Sequence, residues 1–301
     1  MKYIPDSEIA TRISYASALQ WVRESFSLKG ESQLPHKISL PFMEHNFMNT
    51  MPCIVPQLDV LGTKVVTRYE GRKPAVDGQI MLYRYSDGEF LALMDAFTIT
   101  TVRTGAVAAL AVQTFARKNF ETISIMGLGN TGKATLECLA ALYGEQRLNI
   151  RLLQYKDHAE YVEQSFSPRT NWHFTIGPEP ESIIREADVC ISCVTFAGSN
   201  FAPDSAYSPG CLVVPVHTRG FQNCDLFFDK VFADDTAHVS GFKYFTSFRR
   251  FAEMPDVLSG KIPGRSSDKE RILSYNIGIA LHDMVFAHHI FTTTNTPKPC
   301  K

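Results

Sequence analysis

The sequence lacks the features that mark membrane proteins and nucleic-acid-binding proteins. No apolar run approaches the roughly 18 residues that a membrane-spanning helix requires. The 30 lysines and arginines are balanced by 31 aspartates and glutamates, so no basic stripe is available for a nucleic acid. The first residues also lack the apolar core of a signal peptide. We therefore expect a cytoplasmic protein that binds neither a membrane nor a nucleic acid.

The cysteines and histidines do not form a pattern typical of disulfides or of a metal site. Seven cysteines, an odd number at irregular spacing, are typical of reduced thiols. Cys190 and Cys193 form a Cys-x-x-Cys, but they lie in a predicted strand, where residues three apart point to opposite faces. The polar residues of the last helix, His282, Asp283 and His288, lack a third ligand at metal spacing. We expect no metal, and we expect these helix residues in solvent or at a subunit interface.

The most informative motif is a glycine-rich turn between a strand and a helix. It follows an apolar run and reads Gly127-Leu128-Gly129-Asn130-Thr131-Gly132. Gly127 allows a tight turn, Gly129 lets the backbone approach a pyrophosphate, and Gly132 lets the helix pack closely on the strand. The N–H groups at the start of the helix face the anion. The motif predicts a dinucleotide-binding turn, with an ordinary strand-to-helix turn as the alternative.

Short apolar runs alternate with helices from residue 119 to residue 271. The expected strands cover residues 123–126, 148–154, 172–176, 188–194, 211–216 and 230–233, with helices over 131–143 and 180–186. A polar stretch separates the second strand from the third. This alternation is typical of a mostly parallel sheet with right-handed crossovers. Together with the glycine motif, it predicts a Rossmann domain.

The first hundred residues show a different pattern. An amphipathic helix is expected over residues 7–27. The strands expected after it cover residues 38–40, 53–55, 64–67, 80–85 and 90–94. An Asp-Gly turn at residues 86–89 makes the last two strands a hairpin. A helix over residues 98–117 then leads to the glycine motif.

The C-terminal segment completes the predicted organisation. After residue 271 we expect one more helix, to about residue 290, and then a disordered polar tail over residues 292–301. The predicted fold class is α/β, with a Rossmann domain over residues 119–271 inserted into an α+β domain. That α+β domain consists of residues 1–118 completed by residues 272–301.

The linking helix carries a family resemblance. Residues 95–106 read Asp-Ala-Phe-Thr-Ile-Thr-Thr-Val-Arg-Thr-Gly-Ala, and the glycine motif follows about twenty residues later. Other matching positions are Met51-Pro52, Gly62, Lys64, Asn276, Gly278, Ala280 and Asp283. Together they resemble the ornithine cyclodeaminase/μ-crystallin family. The resemblance implies a homodimer, an α+β domain that binds substrate and dimerises, a Rossmann domain that binds NAD or NADP, and an active site in the cleft between them.

Three cations are candidates for holding a substrate carboxylate. Arginine offers a planar two-point fork and lysine a point charge. Arg103 lies among small and apolar neighbours, where an unpaired guanidinium is costly, so it is predicted to meet an anion of the substrate, the cofactor or the protein. Lys64 matches the family position, whereas Lys37 stands where the family often has arginine and is otherwise a solvated lysine. Thr104 and the small residues after it allow either approach to the nicotinamide or close helix packing.

The loop after the fifth Rossmann strand holds the candidate proton relay. Ornithine cyclodeaminases carry a catalytic aspartate there in a V-G-x-D-x-P-type sequence, and His217 stands at or next to that position. A histidine, with an unperturbed pKa near 6.5, suits proton transfer at neutral pH, although a structural role is the alternative. Arg219 is a candidate for binding a second carboxylate, with a surface salt bridge as the alternative.

The choice between NAD and NADP stays open in the sequence. NAD-binding Rossmann domains place Asp or Glu at the end of the second strand, to accept a hydrogen bond from the ribose 2′-hydroxyl. Gln154 stands at the best-matched position and does not repel a 2′-phosphate, which Lys156 attracts, whereas Asp157 favours NAD. The other cofactor contacts expected from the family's geometry are Arg103, Thr104, Gly127, Gly129, Asn130, Thr131, Gly132, Val194, Thr195, Val214, Asn276 and Gly278.

The expected function is hydride transfer between NAD or NADP and the C–N centre of an amino acid or opine-like substrate. Arg103 and Lys64 would hold the carboxylate and His217 would relay the proton. The absence of the family's catalytic aspartate weakens an assignment to ornithine ring closure. A cyclodeaminase, which reduces and reoxidises NAD within one turnover, is therefore kept as an alternative. A non-enzymatic ligand-binding protein of the μ-crystallin type is another.

Overall fold

The computed structural model describes residues 2–195, 199–217 and 227–295, and contacts divide these residues into two units. The first unit comprises the described residues up to Arg103 and from Ile279 onward, and the second comprises Thr104–Gly278. Among the described residues, no helix combines the length and apolar character needed to cross a bilayer.

The first unit is built on a six-stranded sheet with the order β1-β6-β5-β4-β3-β2. Its strands are β1 (Lys2–Ile4), β2 (Ile38–Phe42), β3 (Asn46–Val55), β4 (Val60–Arg68), β5 (Val76–Arg84) and β6 (Phe90–Asp95). β1 pairs parallel with β6, and the other neighbours pair antiparallel. All five predicted strands are present, and β1 was not predicted. Gly88 has a φ of +76° in the turn from β5 to β6, as the Asp-Gly turn predicted.

Three helices belong to the first unit: α1 (Asp6–Ile9), α2 (Tyr15–Leu28) and, at the end of the chain, α9 (Ala280–Asn295). The single helix predicted over residues 7–27 is wrong, because Ser14 forms a capping box with Ser17 and starts α2 as a separate helix. The expected disorder from residue 292 is also wrong up to Asn295, which still belongs to α9; residues 296–301 lie outside the described residues.

The second unit contains a parallel sheet, as predicted, but with eight strands where six were expected, in the order β13-β12-β14-β11-β10-β7-β8-β9. Its strands are β7 (Thr122–Met126), β8 (Leu148–Leu153), β9 (Trp172–Gly177), β10 (Val189–Ser192), β11 (Leu212–Pro215), β12 (Lys230–Ala233), β13 (Ala252–Glu253) and β14 (Ile272–Tyr275). The chain runs outward from β7 to β9 and then returns to place β10 on the other side of β7. Ligands of open α/β sheets bind at this kind of strand-order reversal.

Helix α3 (Phe97–Phe115) carries the chain from the first unit into the second. The other helices of the second unit are α4 (Asn130–Tyr143), α5 (His158–Phe166), α6 (Pro180–Ile184), α7 (Thr236–Val239) and α8 (Met254–Leu258). Helix α5 lies in the stretch that the sequence analysis left as polar. It buries Ala159, Val162 and Phe166, whose spacing of three and four residues is typical of a short amphipathic helix.

The segment after residue 271 differs from its prediction. The strand β14 occupies this position and pairs with β11 and β12, so residues 272–278 belong to the second unit. The contacts therefore place the divisions after Arg103 and Gly278, where the sequence analysis placed them after residues 118 and 271. A four-residue strand between turns is too short to give a clear periodicity, and for this reason β14 was missed.

Candidate functional site

The glycine turn after β7 is as tight as its sequence predicts. Gly127 has a φ of +84°, and a Cβ atom there would lie 2.4 Å from the carbonyl carbon of Cys193. A Cβ atom on Gly132 would lie 2.3 Å from the carbonyl oxygen of Gly127. Both contacts are with backbone, which cannot move aside cheaply, so these two positions require glycine for geometric reasons.

Gly129 differs from its neighbours because it faces open space. A Cβ atom on Gly129 would meet nothing within 4 Å. Gly129 is also the N-cap of α4, and the first intrahelical bond runs from Lys133 N to Gly129 O at 2.9 Å. The N–H groups of residues 130–132 therefore have no partner within the helix, and the helix dipole is positive at the same end. This cradle of open space and N–H groups fits a pyrophosphate.

His217 lies at the same edge of the parallel sheet. It follows β11, and its Nε2 is 2.8 Å from the hydroxyl oxygen of Ser192, the last residue of β10. The backbone N–H of Val216 donates to the carbonyl oxygen of Ser192 at 2.9 Å, which holds the two strand ends together. Because β10 lies between β7 and β11, His217 and the glycine turn are at the carboxyl ends of nearby strands, one strand apart.

A buried ion-pair cluster lies in the first unit. The ammonium of Lys64, on β4, lies 2.8 Å from Oδ1 and 2.7 Å from Oδ2 of Asp283, on α9. The Nε of Arg103, on α3, lies 3.3 Å from the same Oδ1. Lys64 is 1% exposed, Arg103 4% and Asp283 0%. Three elements that are distant in sequence therefore bring two cations to one carboxylate.

The charges around Lys64 affect its protonation. Burial, followed by the charge of Arg103, lowers the pKa of Lys64 from 10.5 to about 8, and Lys37 contributes in the same direction. The carboxylate of Asp283 opposes this shift. Lys37, Lys64, Arg103 and Asp283 together carry a net positive charge when the lysines are protonated. Such a cluster suits a ligand with a carboxylate.

Two polar residues of the last helix do not lie where the sequence predicted. Asp283 and His282 are both 0% exposed, so a solvated location is excluded for them. His282 shares a hydrogen bond with Ser25 and packs edge-on against the ring of Phe26, with 4.7 Å between the ring centroids. His288 is half-buried. Helix α9 has apolar residues around its whole circumference, a signal of a buried helix that the sequence analysis overlooked.

The remaining predicted residues have varied surroundings. Thr104 is buried, and a Cβ on Gly105 would lie 2.5 Å from the carbonyl carbon of Ala134, which indicates close packing of α3 on α4. Val214 and Asn276 are completely buried, and Gly278 donates its N–H to the carboxylate of Asp234 at 2.5 Å. Val194 and Thr195 follow β10, with Thr195 exposed; Arg219 lies outside the described residues.

Of the cysteines of the Cys-x-x-Cys sequence, Cys190 is buried and Cys193 is partly buried, and packing explains them, as the sequence predicted. Cys190 belongs to the apolar core on one face of the parallel sheet. Burial raises the pKa of both Cys190 and Cys193 to about 12, so both thiols are protonated at neutral pH. Over residues 2–195, 199–217 and 227–295, no three His, Cys, Asp or Glu residues lie together as metal ligands would.

Comparison with known proteins gives a family match over nearly the whole chain. Residues 4–297 match the Ornithine cyclodeaminase/mu-crystallin family. The nodulation efficiency protein NfeD of Rhizobium meliloti is 25% identical over 305 residues, which cover 97% of this chain and 94% of that protein. The Delta(1)-pyrroline-2-carboxylate reductase of Bacillus cereus is 26% identical over 280 residues, which cover 85% of this chain and 85% of that protein.

A solved structure shows the same fold. The Delta(1)-pyrroline-2-carboxylate reductase of Thermococcus litoralis, in complex with NADH and L-proline, matches with a TM-score of 0.85 and 19% identity, over 98% of this chain and 97% of that chain. The predicted α/β fold class, with a Rossmann domain and a second domain, is therefore confirmed.

Proposed function

The chain belongs to the ornithine cyclodeaminase/mu-crystallin family, and from this premise we propose that it transfers hydride between NAD(P) and a C–N centre of an amino or imino acid. The open space beside Gly129, at the N-terminus of α4, is the observation that carries the proposal. The family match and the names of the related reductases support the reaction type. The buried cations support a substrate with a carboxylate.

We assign the roles of the residues from their surroundings. The N–H groups of residues 130–132 would hold the pyrophosphate, and the bound nicotinamide would supply or accept the hydride. Arg103 would hold the substrate carboxylate with its planar fork, and Lys64 would add a point charge. Asp283 is a positioning residue, because it holds both cations in place. His217, oriented by Ser192, would exchange a proton at its imidazole with the substrate nitrogen.

Replacing Gly129 with valine tests the proposed cofactor site. The backbone at Gly129 is extended, with a φ of −77°, and nothing lies within 4 Å of a Cβ atom, so the variant is expected to fold normally. The side chain would fill the space proposed for the pyrophosphate, and calorimetry should show loss of NAD(P)H binding. Gly241→Val, also at a glycine of the second unit with open space around it, is the control and should bind normally. Unchanged affinity in a folded Gly129→Val protein would contradict the proposal.

The pKa of Lys64 predicts a pH dependence. Only protonated Lys64 attracts a carboxylate, and its pKa of about 8 places the loss of that charge in the mildly alkaline range. We expect kcat/KM for a carboxylate substrate to fall as the pH rises through about 8. Lys64→Arg keeps its charge at all accessible pH values, so its profile should lack this limb. If the limb persists in Lys64→Arg, it belongs to another group.

A cyclodeaminase is the second candidate, because the family contains such enzymes. A reductase or dehydrogenase changes the absorbance of the nicotinamide in proportion to product. A cyclodeaminase releases ammonia with no net change in NAD(P)H. Measuring both signals with amino acids and cyclic imines distinguishes the two, and tight ligand binding without either signal would favour the non-enzymatic alternative.

We further propose a homodimer formed through the first unit. Ile38 and Leu40 are each 57% exposed on β2, the edge strand of the six-stranded sheet, and Met43 just beyond is 77% exposed. An open edge strand with exposed apolar residues is a surface that proteins normally cover. Sedimentation equilibrium would test the dimer.

The described cysteines are free, which supports a reducing compartment such as the cytoplasm.

A further inference from the structure

We propose that Glu160, acting through Gln154, makes this protein select NAD(H) over NADP(H). The inference rests on the proposed function, because it concerns the adenosine ribose of the same dinucleotide. It resolves the choice that the sequence left open, and it does so through a carboxylate supplied by a helix instead of the usual carboxylate at a strand end.

Gln154 lies where a Rossmann domain contacts the ribose. Strand β8 ends at Leu153, and its neighbour β7 leads into the glycine turn. Ile125 pairs with Leu152 across the two strands, so Gln154 follows its strand at the level where Gly127 follows β7. The side chain after the second strand accepts from the 2′-hydroxyl in NAD-binding domains.

The orientation of the Gln154 amide follows from its two partners. Its Nε2 lies 2.5 Å from the carbonyl oxygen of Lys156 and 3.0 Å from Oε1 of Glu160. A carbonyl and a carboxylate can only accept hydrogen bonds, so the amide atom between them must be the nitrogen, and both of its hydrogens are used. The carbonyl oxygen of Gln154 is therefore what the side chain offers to a ligand. A ribose hydroxyl can donate to this oxygen, whereas the oxygens of a 2′-phosphate repel it.

Glu160 adds a negative charge behind this amide. It lies in the first turn of α5, and its Oε2 is buried without a hydrogen-bond partner in the described part of the chain. A carboxylate within 3.0 Å of the amide nitrogen both fixes the amide and disfavours a nearby phosphate.

Lys156, which the sequence suggested as an attraction for a 2′-phosphate, contacts Gln154 through its backbone. Its backbone is in the left-handed region, with a φ of +53°, so that its carbonyl oxygen accepts from Gln154. Its ammonium lies over the ring of Tyr155, 5.3 Å from the centroid. The backbone of Lys156 thus supports the acceptor orientation of Gln154.

The test measures binding of NADH and NADPH by calorimetry to the full-length protein and to three variants. Wild type is expected to bind NADH at least about tenfold more tightly than NADPH, since the amide oxygen of Gln154 accepts from the ribose hydroxyl, whereas this oxygen and the Glu160 carboxylate both repel a 2′-phosphate. Glu160→Ala frees one amide hydrogen of Gln154 and removes the charge, so the ratio of the two dissociation constants should fall by about tenfold, mainly through tighter NADPH binding. Glu160→Gln keeps the size and an acceptor oxygen, and it should cause a smaller fall. Glu163→Ala, one turn further along α5, is the control and should leave the ratio unchanged.

The outcomes separate this inference from the proposed function. If wild type binds both dinucleotides but prefers NADPH or shows no preference, the selection by Glu160 is wrong and the dinucleotide site stands. If wild type binds neither, both proposals are overturned. A Glu163→Ala variant that changes the ratio as much as Glu160→Ala would show that general charge, and not the contact with Gln154, sets the preference.

Discussion

Replacing Asp283 with alanine is expected to lower the free energy of unfolding by about 3–5 kcal/mol, the usual cost of removing one partner from a buried ion pair. Lys64 and Arg103 are 1% and 4% exposed, so neither cation can turn to water when the carboxylate is gone. Urea denaturation monitored by circular dichroism would measure the loss.

The pH dependence of the Asp283→Ala protein has a definite sign. In wild type, burial already lowers the pKa of Lys64 to about 8, and without the carboxylate it should fall further. At pH values between the lowered pKa of Lys64 in the folded variant and its ordinary value of 10.5, this lysine holds its proton more often in the unfolded chain than in the folded one. The stability contributed by this lysine therefore rises with pH in that window and is lost as the pH falls through it. Part of the loss caused by Asp283→Ala should thus be recovered above neutral pH.

Two controls separate the buried pair from general effects of losing an aspartate. Asp283→Asn keeps the size of the side chain and removes only the charge, so it tests electrostatics without a cavity. Asp256→Ala removes a surface partner of Lys261 and should cost less than about 1 kcal/mol. A loss for Asp283→Ala no larger than that for Asp256→Ala would mean that the buried cluster does not stabilise the fold.

The features that the sequence predicted well are local. Gly127 needs a positive φ, +84°, and a Cβ atom on Gly132 would meet the carbonyl oxygen of Gly127, so both requirements arise within one turn and leave glycine at fixed spacing. The parallel strands are recognisable in the sequence as short apolar runs, because both faces of the sheet are covered. His217 was placed at a strand end for the same reason, since it directly follows an apolar run.

The features that the sequence did not predict depend on distant residues or on orientation. Lys64 and Asp283 are 219 positions apart, and no periodicity links a cation on a strand to a carboxylate on the last helix. The role of Gln154 depends on which side of its amide faces Glu160, a property that the residue types alone leave open. Helix α5 and strand β14 were missed because both are short, and short elements take their structure from the sheet on which they pack.

Replacing His217 with glutamine is expected to lower the turnover rate by about 10²- to 10⁴-fold, the usual contribution of a general acid or base. Glutamine can still share a hydrogen bond with Ser192, which lies 2.8 Å from His217 Nε2, so the end of β11 should stay in place against β10. The substitution removes an ionisable imidazole, a group whose unperturbed pKa is near 6.5. The limb of the pH–rate profile near neutrality should therefore flatten in the variant, while the affinity for NAD(P)H remains the same.

A surface histidine of the same unit provides the control for His217. His173 is exposed on β9, and His173→Gln should leave the rate and the pH profile unchanged. Ser192→Ala should lower the turnover rate less than His217→Gln does. The imidazole then loses the hydrogen bond that orients it, but it can still carry the proton. A deuterated nicotinamide should show whether hydride transfer limits the rate, a condition for the limb to be visible. If His217→Gln turns over at a near-normal rate with an unchanged profile, the proton travels through water or the substrate's own amine, and His217 serves only to hold the end of β11 against β10.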